Sequence, residues 1–168
     1  MYDQRYGIYF TIQQADSPDT PKSKSQVNGQ TIDELFTFDN NNAEYGRQLA
    51  QDRSYVSLLH NRSFRVANPH GMFSYLFSIP ADTEEIILTL TFHSLDAGKQ
   101  MILRVNDDPK TDKTITVEPY IKNGFFHHDY VLPKEWITNK DMIKLMFLAG
   151  EQQGGRLFGI GLYRTLPI

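Results

Sequence analysis

The feature that most constrains this chain is a series of short apolar segments that alternate between two faces, each stopped by turn-forming residues. Alternation with period two marks a strand half buried on one face. Residues 6–12 place Tyr6, Ile8 and Phe10 on one side and Tyr9 on the other. Residues 32–38 alternate and stop at Asp39-Asn40-Asn41-Asn42, a run suited to turns and helix caps. Residues 72–79 end at Pro80, and residues 85–93 form the most apolar run. Residues 100–105 and 113–117 flank Asn106-Asp107-Asp108-Pro109 and read as a hairpin. Residues 125–132, 142–149 and 157–163 complete the strands. Helical signals are few. Residues 43–51 suit a short helix weakened by Gly46, and residues 133–137 suit another with Pro133 in its first turn. The expected fold class is all-β, a two-sheet, jelly-roll-like β-sandwich with one or two short helices. No internal repeat is evident.

Length and composition narrow the function. A chain of 168 residues suits one domain and buries enough surface to fold without a metal or disulfide. Net charge is −3 with no basic block, so nucleic acid is not an expected partner. There is no cysteine, which excludes a thiol nucleophile and a thiolate zinc site within these residues. No apolar stretch approaches the ~20 residues of a membrane-spanning helix, so a membrane partner is not expected either. The first residues carry no signal-peptide pattern, and with the lack of cysteine this leans towards the cytoplasm.

Organisation follows from a break in composition. Residues 13–28 hold Pro18, Pro21, Ser17, Ser23 and Ser25 with little apolar content, as linkers and loops do. The expected division is a terminal strand left from a preceding domain at 1–12, a linker or loop at 13–28, and the sandwich at 29–168. A strand beginning so near the first residue suggests a domain cut from a longer polypeptide.

Phe73, Tyr75 and Phe77 share one strand face and are expected to pack between the sheets. Adjacent histidines on a strand point to opposite faces, so His127 and His128 cannot chelate one ion, and no metal or other cofactor is expected. No nucleophile elbow or phosphate loop occurs, and the adjacent carboxylates Glu84 and Glu85 diverge. Asp107-Asp108 reads as turn chemistry rather than a calcium site, and Asn61-Arg62-Ser63 matches the glycosylation triplet. The candidate carbohydrate-binding residues are Tyr120, Phe125 and Trp136, whose flat apolar rings suit stacking on a sugar. The plainer reading of Trp136, as a plug for the core, is the favoured one.

The order of three motifs adds a resemblance. Phe64-Arg65-Val66-Ala67-Asn68, then Gly71-Met72-Phe73-Ser74-Tyr75, then Gly154-Gly155-Arg156-Leu157-Phe158-Gly159-Ile160 resemble the C-terminal β-sandwich of bacterial β-L-arabinofuranosidases, glycoside hydrolase families 127 and 146. Residues 2–10 resemble the aromatic-rich strand that closes the preceding domain in that family. The resemblance implies a non-catalytic module whose partner is the catalytic domain of the same polypeptide, with a glycan and a second copy as further partners. The family's catalysis, attributed to an upstream helical barrel with a cysteine nucleophile and zinc, maps onto no residue here. The module's role would be domain packing, subunit contact or substrate positioning. The alternative is a freestanding carbohydrate-binding module that recognises plant-type glycans. Within the motifs, Arg65 is expected to pair with Glu44, Gly154 and Gly155 to permit positive φ, and Phe158 to fill the sandwich.

Overall fold

A computed structural model describes residues 4–5, 10–14, 29–40, 42–118 and 124–165. The strands are β1 (Gln4–Arg5), β2 (Phe10–Gln14), β3 (Gly29–Leu35), β4 (Ala50–Leu59), β5 (Arg62–Ser78) and β6 (Ile86–His93). They continue as β7 (Gln100–Val105), β8 (Asp108–Thr116), β9 (Phe125–Leu132), β10 (Met142–Leu148) and β11 (Gly159–Thr165). One six-stranded sheet runs β1-β2-β9-β6-β11-β3 and one five-stranded sheet runs β4-β5-β10-β7-β8, every pairing antiparallel. The expected all-β, two-sheet sandwich is the observed one.

The alternation read in the sequence explains the interior. On β10, Ile143, Leu145 and Phe147 are buried while Lys144 and Met146 are only half buried. Opposite them, Phe73, Tyr75 and Phe77 of β5 enter the same core, with Phe73 stacked on Phe147 at 5.3 Å between centroids. The aromatics therefore pack between the sheets, as expected. The other sheet contributes Ile86, Leu88, Leu90 and Phe92 from β6 and Phe126, Tyr130 and Leu132 from β9. Every residue of β6 is buried, and these two strands pair in register from Ile86 opposite Leu132 to His93 opposite Phe125.

Two expectations about boundaries need correction. Residues 12–14 of β2 pair with β9, Gln13 opposite His127 and Gln14 opposite Phe126, so the expected break at residue 13 falls inside a strand of this sheet. Composition registers a loss of apolar residues, but sheet membership is set by backbone hydrogen bonds that any residue except proline can donate. Residues 15–28 lie outside the described residues. The helix expected over 43–51 is a single turn, α1 (Asn42–Tyr45), because residue 50 already belongs to β4. The second helix is a short 3-10 turn, Lys134–Trp136, where it was expected.

The hairpin of β4 with the first half of β5 went unread. Its two-residue turn is carried by His60 and Asn61 at φ 50° and 64°, without the glycine that usually signals such a turn. Further along, Asp52 faces Met72 and Ser54 faces Ala67, so residues 68–71 bulge opposite Arg53 alone. Gly71 is required there, since a Cβ would lie 2.3 Å from the Arg53 carbonyl oxygen.

The expected Arg65–Glu44 pair is present and wholly buried. The Arg65 Nε donates to Glu44 Oε2 at 2.6 Å and Nη1 donates to Ser54 Oγ at 2.7 Å, and a third guanidinium bond reaches Asn40 Oδ1. Tyr75 donates its hydroxyl to the same carboxylate at 2.5 Å, and the Asn40 N–H donates to Glu44 Oε1 at 2.8 Å. Burial by itself would raise the Glu44 carboxyl, but the bonds from Arg65, Tyr75 and Asn40 outweigh it and hold it below its ordinary value. This node ties α1 to β4 and β5.

Candidate functional site

The three aromatic candidates do not form one surface. Tyr120 lies outside the described residues. Trp136 is half buried against the main core, and its carbonyl accepts a bond from Asn106 Nδ2 at 3.1 Å. Phe125 opens β9 while Trp136 follows its far end, so a strand of about 25 Å separates them. Phe125 is 4% exposed, within a second cluster of Phe64, Val66 and Phe158. The Arg62 guanidinium lies 4.4 Å from its ring centroid and His93 meets its ring edge-on at 4.7 Å. Phe125 is thus covered, not open to a sugar, because the β4–β5 hairpin folds onto it. Phe158 does fill space as expected, but in this second cluster rather than the main core.

The histidines take the opposite faces that strand geometry demands. His127 Nδ1 contacts Thr91 Oγ1 at 3.0 Å on one face, and His128 Nδ1 contacts the Tyr130 hydroxyl at 3.0 Å on the other. Burial brings both imidazoles down to about 4, aided by Arg62 at His127 and by His127 at His128. Asp107 is held by the Lys144 ammonium at 2.9 Å, and Asp108 accepts from the Lys110 N–H at 3.0 Å, so both serve the turn.

A different group of residues converges. A cleft of about 410 Å³ lies between β7–β8 and the 150–156 loop, within the range of ligand sites. Lys99, Gln100, Thr114, Glu151, Gln152 and Gln153 supply its polar groups, and Met101 and Ile102 also line it. Gln153 organises the rim. Its Nε2 donates to Asn68 Oδ1 at 3.1 Å and to the Tyr55 hydroxyl at 3.4 Å, while its Oε1 accepts from Lys99 Nζ at 3.4 Å. Tyr55 is 43% exposed, its ring braced edge-on by Phe64 at 6.3 Å. Amides both donate and accept, as sugar hydroxyls do, and an exposed phenol ring offers a flat apolar face to sugar C–H groups. The two 3.4 Å bonds of Gln153, to Tyr55 and Lys99, are weak enough for a ligand to replace.

The loop owes its path to two anchors. The Gly154 N–H donates to the Ala67 carbonyl at 3.0 Å, and Arg156 is bound to Asp96. Neither Gly154 nor Gly155 has the positive φ expected of it, since the only described glycines with that conformation are Gly98 and Gly124. Gly155 is needed for closeness instead, as a Cβ there would sit 2.8 Å from Val117 Cγ2.

Sequence reading missed Tyr55, Lys99 and Gln153. The one available signal was the Glu151-Gln152-Gln153 run between Gly150 and Gly154-Gly155, polar side chains in a glycine-flanked loop. Tyr55 had no strand assigned to place it.

No protein-family model and no curated protein matches the chain. Solved structures do. A family GH115 4-O-methyl-α-glucuronidase with specificity for decorated arabinogalactans matches 90% of this chain at 16% identity and TM-score 0.56. An exo-β-1,3-galactanase from Phanerochaete chrysosporium matches 71% at 12% identity and TM-score 0.53. The matches span only 19% and 28% of those two chains. A carbohydrate-binding module of Cellvibrio mixtus lichenase 5A, in complex with cellotriose, is covered over 100% of its length and matches 82% of this chain, at 12% identity and TM-score 0.51. The shared feature is the fold. This chain has the β-sandwich found in carbohydrate-binding modules and in domains of glycoside hydrolases.

Proposed function

We propose that the chain is a non-catalytic carbohydrate-binding module that takes a glycan in the cleft between β7–β8 and the 150–156 loop. The observation that carries this reading is the Gln153 amide, which links an exposed tyrosine to a lysine and an asparagine at the rim of a ligand-sized cleft. Support comes from the fold it shares with a whole module whose complex holds cellotriose. A place within a larger glycoside hydrolase is supported by the two enzymes in which such a sandwich forms a minor part. The parent of family 127 or 146 type rests on the three motifs, whose Arg65, Phe73 and Phe158 serve the fold and leave the cleft to other residues. In that setting the module positions substrate for the catalytic domain of its own polypeptide.

The test is calorimetry and affinity electrophoresis on soluble arabinose- and galactose-containing glycans. Tyr55→Ala and Gln153→Ala are each expected to weaken binding about tenfold, the equivalent of ~1.4 kcal/mol. Equal retention of wild type and both variants would sink the assignment of the cleft. Hydrolysis of aryl glycosides by the purified chain would overturn the non-catalytic reading.

A further inference from the structure

Asp96 is wholly buried in the turn that follows β6, and both walls of the cleft are fastened to it. On one side its Oδ2 accepts from the backbone N–H of Arg156 at 2.8 Å. The Arg156 guanidinium adds bonds from Nε at 3.1 Å and from Nη2 at 2.9 Å, a fork on a single carboxylate. These bonds fix the end of the loop that carries Gln152 and Gln153. On the other side the Lys99 N–H donates to the Asp96 carbonyl at 2.9 Å, and the Lys99 ammonium stands 3.6 Å from Oδ1.

The two cations are held unequally. Arg156 makes four bonds of 2.8, 2.9, 3.1 and 3.2 Å, one of them through its backbone N–H, so it takes most of the carboxylate's accepting capacity. Lys99 is left with one long contact to Asp96 and one to Gln153 at 3.4 Å, poised at the cleft rather than clamped. A carboxylate buried among fixed donors holds its geometry without reorganising when ligand arrives, and that order is worth affinity because it need not be created on binding.

We infer that Asp96 is the positioning residue of this cleft: without touching the ligand, it sets the spacing between Lys99 and the Gln153 loop and so governs glycan affinity. The inference rests on the proposed binding function, and its test separates the two. Asp96→Asn preserves shape but removes the charge that draws both cations. The variant is expected to bind glycan at least tenfold more weakly. Backbone amide exchange should quicken at least tenfold at the Arg156 and Gly154 N–H groups, the loop amides that hold hydrogen bonds, with the amides of β6 and β9 unchanged. Lys99→Met is the contrast, expected to weaken binding while leaving loop exchange as in wild type. Arg156→Lys keeps the charge but loses the fork, and stands in should Asp96→Asn not fold; the same paired result is expected. Wild-type affinity or wild-type loop exchange in both Asp96→Asn and Arg156→Lys overturns the inference. Should wild type bind no glycan, the functional reading fails and the inference falls with it, whereas a wild type that binds while both variants bind as tightly overturns the inference alone.

Discussion

Removing Arg65 tests the buried node directly. Both partners of the Arg65–Glu44 pair are fully shielded from solvent, so Arg65→Ala leaves a carboxylate in the interior with only the Tyr75 hydroxyl and the Asn40 N–H to stabilise it. Orphaning one member of a buried ion pair costs about 3–5 kcal/mol. For a domain of this size each kcal/mol moves Tm by about 2–4 °C, so a drop of roughly 6–20 °C is expected by calorimetry or circular dichroism. The pH dependence carries a second signature. The Glu44 carboxyl is held below its ordinary 4.5 in the folded protein, so its contribution is complete above that value and fades as pH falls through the depressed one. The gap between wild type and variant should therefore narrow in acid. Replacing both partners, as Arg65→Met with Glu44→Leu, should cost less than the sum of the single changes, since neither charge is then stranded. A Tm within about 2 °C of wild type for Arg65→Ala, or strict additivity in the double variant, would refute the account.

Other outcomes follow from the same structure. His127 and His128 are held down to about 4 against an ordinary 6.5, so the unfolded chain binds more protons between those values, and stability must fall as pH drops from 6.5 towards 4. The loss is at most ~3 kcal/mol per histidine, and urea midpoints at pH 7 and 4.5 should show it, with a flatter profile in His127→Asn. Gly71→Ala should destabilise by about 2–3 kcal/mol, because the added Cβ meets three backbone oxygens, the nearest at 2.3 Å. Gly150→Ala, whose Cβ meets nothing within 4 Å, should stay within about 0.5 kcal/mol, and a comparable urea shift in both glycine variants would discredit the steric argument.

The sequence by itself determined whatever depends on local periodicity and on charge. Alternation placed Phe73, Tyr75 and Phe77 inside, put His127 and His128 on opposite faces, and made a two-sheet sandwich the natural outcome. The Arg65–Glu44 pair was expected because Arg65 sits in the motif just before the Phe73 strand and a guanidinium forms strong bidentate bonds with a carboxylate. Only the tertiary structure decided what depends on which strands become neighbours. Residues 10–14 belong to the six-stranded sheet because the backbone groups of 12–14 pair with β9, and no side chain announces that pairing. The β4–β5 hairpin turned through His60 and Asn61 without glycine, and it covered Phe125, which had looked available for stacking. The cleft joins residues around Lys99 to residues around Gln153, which in turn bonds Tyr55, three segments distant in sequence and near only after folding. Their convergence depends on a buried carboxylate, Asp96, that sequence reading gave no reason to single out. Period-two patterns record which side of a strand meets the core, whereas a site at the sheet edge depends on loop ends brought together by non-local packing.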